Sequence, residues 1–148
     1  MPVTATPIFA QAPYFVAKTL AAQTACTTRG PTATGSLAAA NIIEIVPTST
    51  NGLRIDAIQV NACSTSFTAP TAGNIVGIWV WDGTTAFLFT EILVTAVTPS
   101  TTVAGFTTTL TFANPLVLPS TFKLFASVSV TTTASTTALQ VCAMGGSY

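Results

Sequence analysis

Charge is what this chain has least of. Its 148 residues hold four Lys or Arg, four Asp or Glu and no histidine. Without histidine the chain lacks the usual general base and the usual partner of a nucleophilic serine or cysteine. Glu44, Asp56, Asp82 and Glu91 are the only carboxylates, and nothing in their spacing marks the facing pair that glycoside hydrolysis needs. No glycine-rich phosphate loop follows a strand pattern. The expectation is therefore no catalytic residue, no cofactor and no metal: a chain that does not read as an enzyme. Lys18, Arg29, Arg54 and Lys123 are scattered, which argues against nucleic acid, because phosphate binding rests on clustered Lys and Arg.

Other shortages narrow the class further. No unbroken apolar run of about 18 residues is present, so no membrane partner or span is expected. The start, Met1-Pro-Val-Thr-Ala-Thr-Pro-Ile-Phe-Ala-Gln, has neither a basic segment nor an apolar run of the kind that makes a secretory signal. Cys26, Cys63 and Cys142 are odd in number and widely spaced. They read as small buried hydrophobes, with one disulfide and a free thiol as the alternative. A zinc site is not expected without histidine or a close cysteine pair. No stretch carries an apolar stripe at helical spacing.

What the chain does have is β-forming material. Apolar residues make up 49% of it and thirty residues are threonine, and Thr and Val crowd a helix but suit a pleated surface. Hydrophobicity this high with charge this low excludes disorder. A net charge of zero does little to keep molecules apart in solution; either threonine hydroxyls carry the solubility or, the favoured reading, much of the surface is buried in an assembly.

Residues 1–50 hold five of the nine prolines and read as an extended N-terminal arm with the first strands, including Tyr14-Phe-Val-Ala and Asn41 to Val46. Residues 51–148 read as the body. Asn51-Gly and Asp82-Gly are turn signals. Leu53 and Ile55 alternate with Arg54 and Asp56, then the apolar phase shifts to Ile58 and Val60, which predicts a bulge near Ala57. Asn74 to Trp81 is apolar on both faces, with Ile75, Gly77, Trp79 and Trp81 on one side, so the strand is expected to be central or to have its outer face covered. The hairpin returns through Ala86 to Val94, with Glu91 outward. Phe106, Thr108, Leu110 and Phe112 form one face of the next strand. Phe122, Leu124, Ala126, Val128 and Val130 form another inward set, and so do Leu139, Val141 and Ala143, in a last strand ending at Gly145-Gly146. About eight strands with short links predict an all-β, two-sheet antiparallel β-sandwich, jelly-roll-like, with an extended N-terminal arm.

Trp79 and Trp81 have two readings: core aromatics, or a subunit-interface or sugar-stacking pair, since large amphipathic rings suit interfaces. The runs Thr98-Pro-Ser-Thr-Thr and Thr131 to Thr137 read as solvated loop, or as hydroxyl-rich contact surface.

Several segments together resemble a family of small structural proteins of tailed bacteriophages. They are Asn51-Gly-Leu-Arg-Ile-Asp-Ala-Ile, Trp79-Val-Trp-Asp-Gly-Thr-Thr, Phe89-Thr-Glu-Ile-Leu-Val-Thr-Ala-Val-Thr-Pro-Ser, Thr109-Leu-Thr-Phe, Leu116-Val-Leu-Pro-Ser and Leu124-Phe-Ala-Ser-Val. Thr6-Pro-Ile-Phe gives a weaker echo, and Gly145-Gly146-Ser147-Tyr148 departs from the family's ending by a serine in place of an acidic residue. The resemblance implies a virion protein on the outer surface of the capsid, a decoration or cement protein bound to the major capsid protein. It implies a homo-oligomer, a trimer by preference at three-fold positions. On that reading Trp79, Trp81, Phe87 and Phe89 serve core or oligomer packing, and Ile8, Phe9, Tyr14 and Phe15 anchor the arm. A tail or baseplate component and a host-glycan binding module are the rival readings.

Overall fold

The computed structural model describes residues 12–33, 41–66 and 71–148. Their strands are β1 (Ala12–Leu20), β2 (Thr32–Ala33), β3 (Ile42–Val46), β4 (Leu53–Ala62), β5 (Asn74–Trp81), β6 (Thr85–Val94), β7 (Thr107–Leu118), β8 (Lys123–Val128) and β9 (Leu139–Ser147). They form an antiparallel two-sheet sandwich. Sheet A has the order β1-β9-β4-β7, and sheet B the order β2-β6-β5-β8-β3. The pairing is nested: β5 pairs β6, β4 pairs β7, β3 pairs β8 and β1 pairs β9. Two further pairings, β4 with β9 and β5 with β8, close each sheet.

The core is made by the inward set of each strand. Ile58 and Val60 of β4, Val76 and Ile78 of β5, Leu124, Ala126 and Val128 of β8, and Val141 and Ala143 of β9 are all fully buried. Each large aliphatic side chain so placed contributes roughly 1.5–3 kcal/mol of transfer free energy. Strands β1 and β3 each form one edge of a sheet. Ile8 and Phe9, the outer part of the expected arm, lie outside the described residues. The expected short strand at Tyr14 is longer, Ala12–Leu20.

The phase shift in β4 is a bulge. Ile55 and Ala57 face Gly145 and Met144 on β9 with Asp56 left over, and they face Leu116 and Thr111 on β7 with Phe112 to Pro115 left over. Pro115 sits in that excursion, where its missing N–H breaks no ladder bond. The last strand does not stop at its glycines but runs on to Ser147. Gly145 passes so close to the Arg54 carbonyl that any Cβ there would collide with it; the glycines allow the close approach that extends the strand. Both turn signals hold. Gly52 and Gly83 adopt positive φ, 89° and 110°, where only glycine is unstrained. Asp82 Oδ1 accepts the N–H groups of Thr84 and Thr85, which lowers its carboxyl pKa.

Val130 departs from the expected inward set and is half exposed. Strand β8 ends at Val128. Beyond it, Asn74 Oδ1 accepts from the N–H groups of Ser129 and Val130, and Asn74 Nδ2 donates to the Val130 carbonyl. One asparagine thereby turns the chain out of the sheet.

Candidate functional site

The outer face of sheet B is built by the second apolar face of β5. Across the sheet, Gly77 lies opposite Ser127 and Glu91, Trp79 opposite Phe125 and Leu88, and Trp81 opposite Lys123. Gly77 leaves room for the Trp79 indole: a Cβ there would lie 2.8 Å from Ser127 Oγ and 3.2 Å from Trp79 Nε1. The indole Nε1–H donates to Ser127 Oγ at 2.9 Å. Trp79 is buried, yet it lies outside the cluster that fills the sandwich. What buries it is the connection from β1 to β2.

That connection forms a strap from Gln23 to Arg29. The Gln23 N–H donates to Thr132 Oγ1 and the Ala25 N–H to Thr131 Oγ1. The Cys26 N–H donates to the Val128 carbonyl at 2.7 Å, and Asn41 Nδ2 donates to the Ala25 carbonyl. At the far side Arg29 Nε meets Glu91 Oε1 at 2.6 Å. The pair is largely solvated, so its worth is on the order of 0–1 kcal/mol. Between strap and sheet lies a cleft of about 250 Å³ with Cys26, Thr28, Arg29, Trp79, Glu91 and Ser127 in its lining.

Beside the strap, Trp81 is half-buried beneath Lys123, whose Nζ stands 5.4 Å from the ring centroid. The same Nζ lies 2.7 Å from Glu44 Oε2. A cation over an indole contributes about 0.5–1 kcal/mol at such a site. The two tryptophans share a face, and each lies under cover: Trp79 beneath the strap, Trp81 beneath Lys123.

The other aromatic candidates are spread around the sandwich. Phe89 is the extra residue of a second bulge, between the pairs Ile78–Thr90 and Trp79–Leu88. It tilts against Phe112 of β7, ring centroids 5.7 Å apart, and so ties sheet B to sheet A. Phe87 and Phe89 are each 44% exposed and Phe15 is 66% exposed. Tyr14 packs against the core, and burial together with the charge of Glu44 raises its hydroxyl pKa. Tyr14 and Phe15 thus sit on opposite faces of one edge strand, away from the tryptophans.

Three features of this region had no signal in the sequence: Ser127 as the indole's acceptor, the Arg29–Glu91 pair and the strap. Each joins residues far apart in the chain. All three cysteines are free thiols, and burial raises the pKa of Cys63 and Cys142. Among the described residues no group of three His, Cys, Asp or Glu could hold a metal. The arrangement holds an aromatic face closed; what it leaves open is a threonine- and amide-rich face on sheet A and apolar side chains at the seams. No protein family matches this chain, nor does any curated protein or solved structure.

Proposed function

We propose that this chain is a virion structural protein, a head decoration or cement protein that bridges neighbouring capsid subunits as a homo-oligomer, with a jelly roll as its body. The observation that carries the proposal is the nested pairing of its eight longer strands. Such nesting is what results when one long two-stranded ribbon is folded over on itself to give two sheets, the jelly-roll plan used by capsid and lectin domains. The scarcity of charge supports the same reading, because surfaces that meet neutral neighbours in a packed shell carry no desolvated ions. Attachment would come from burial of apolar and main-chain surface across subunit seams, many modest contacts adding through avidity.

Cryo-electron microscopy of the particle that carries this chain tests the proposal. Density for the sandwich on the outer head shell, spanning the seam between capsid subunits, is the expected result. Density confined to the tail or baseplate would replace the head role with the tail role. Absence from the particle, with binding to host glycans on an array, would replace both.

A further inference from the structure

A sheet edge is a row of unpaired backbone donors and acceptors, and proteins normally blunt it. Three of the four edges here are blunted. Strand β2 is two residues long, and β3 is five residues long, bears Glu44 and is broken by a bulge at Ile45. Strand β1 has Pro13, and its register against Val141 puts Lys18 on the inward side, the device that most directly discourages another strand. Strand β7 has none of these over its first half. It is twelve residues long, and no charged residue occurs between Glu91 and Lys123. Among the described residues no strand lies beyond it.

The ladder says which groups are open. The Ala62 N–H donates to the Phe106 carbonyl, and Asn61 lies opposite Thr107 in the same register. In an antiparallel pair, hydrogen-bonded residues alternate with residues whose backbone groups point away. Phe106, Thr108 and Leu110 therefore spend their N–H and C=O groups on β4. Thr107, Thr109 and Thr111 turn theirs outward, away from the sheet.

We propose that this edge pairs with the same edge of a second copy, antiparallel, with Thr109 opposite Thr109 of the other copy on a two-fold axis. That register sets Thr107 of each copy opposite Thr111 of the other, so every outward donor meets an outward acceptor. A shift of one residue would set outward groups against inward ones. The register brings no like charges together and lines up threonines across the seam, a favourable cross-strand pair. Phe89, tilted against Phe112 of β7 and partly exposed, lies alongside and adds apolar area to the contact. Sheet A becomes continuous through both copies. The contact joins copies two by two whether or not each also belongs to a trimer, and it does not rest on the virion reading.

The test uses the full chain and its mass in solution. Thr109→Pro removes an N–H that β4 does not use, so the fold is kept and the contact is lost. The expected result is an assembly whose mass halves in Thr109→Pro and in Thr109→Lys, with the melting of the sandwich retained in the lysine variant. Thr109→Cys adds a check on register: under mild oxidation it forms a disulfide-linked dimer, whereas Thr108→Cys, which faces Leu110 of the other copy, does not. A monomeric wild-type chain, an assembly that Thr109→Lys leaves intact, or equal cross-linking at the two positions would overturn the proposal.

Discussion

The two outer faces of this sandwich differ in what they ask of the rest of the chain. Sheet B turns Ile75, Trp79 and Leu88 outward, and the strap from Gln23 to Arg29 crosses over them. Sheet A turns out Gln59, Asn61, Thr107, Thr109 and Thr111, and among the described residues no such strap crosses it. An apolar outer face must be buried by something, and here the protein uses its own β1–β2 connection. A face of hydroxyls and amides is stable against water and stays available to a partner. The contrast teaches that Trp79, an obvious candidate for an interface, is buried within its own chain, and that among the described residues the plainer threonine face is the uncovered one.

Substitutions on the two faces should separate sharply. Trp79→Ala should have the largest effect, a loss of about 3–5 kcal/mol in denaturant unfolding, whereas Gln59→Ala on sheet A should stay within about 0.5 kcal/mol. Equal losses would erase the contrast. Gly77→Ala comes next, at about 1–3 kcal/mol, because its Cβ would press on Ser127 Oγ and the indole at once. Ser127→Ala leaves a buried indole N–H without its acceptor, for about 1–3 kcal/mol; Ser127→Thr, which keeps a hydroxyl, sharpens the attribution if it recovers part of that. Arg29→Ala should barely move stability, on the order of 0–1 kcal/mol, but it frees one end of the strap. Cys26 in the cleft should then react several-fold faster with a thiol reagent, while Cys63 and Cys142 keep their rates.

The smallest effect concerns pH. Hydrogen bonds from Thr85 and Thr84 hold the Asp82 carboxyl below the usual carboxylate range. Its contribution is thus fully present above the ordinary carboxylate pKa and is lost as pH falls through the lower folded value. Asp82→Asn should flatten the acid limb of the stability curve by slightly lowering stability at neutral pH while leaving the strongly acid end unchanged.

The sheet interiors were legible wherever alternation is local. Ile58 and Val60 out of phase with Ile55 mark the bulge in β4, and Gly52 and Gly83 mark their turns. Both apolar faces of β5 implied a central place or a cover, and the strand has a central place. The pairing of β1 with β9, the strap and the Trp79–Ser127 bond were not legible, because nothing near Tyr14 or Trp79 in sequence encodes a partner so distant. The contact of Phe89 with Phe112 was not legible for a related reason: alternation cannot place a residue that is the extra member of a bulge. The free edge of β7 needed both kinds of information, the uncharged sequence and the ladder that says which way each N–H points.

The nested pairing also orders events in time. Strand β5 meets β6 across a short turn, but β1 must wait for β9, the furthest along the chain of the described strands. Contacts between distant parts of a chain slow folding. While β9 is absent, β1 has lost its partner and β4 has lost one of its two. A ribosome-bound chain stopped before Leu139 would therefore hold the hairpin of sheet B and an unfinished sheet A, the state in which this protein is most exposed to wrong pairing with another copy.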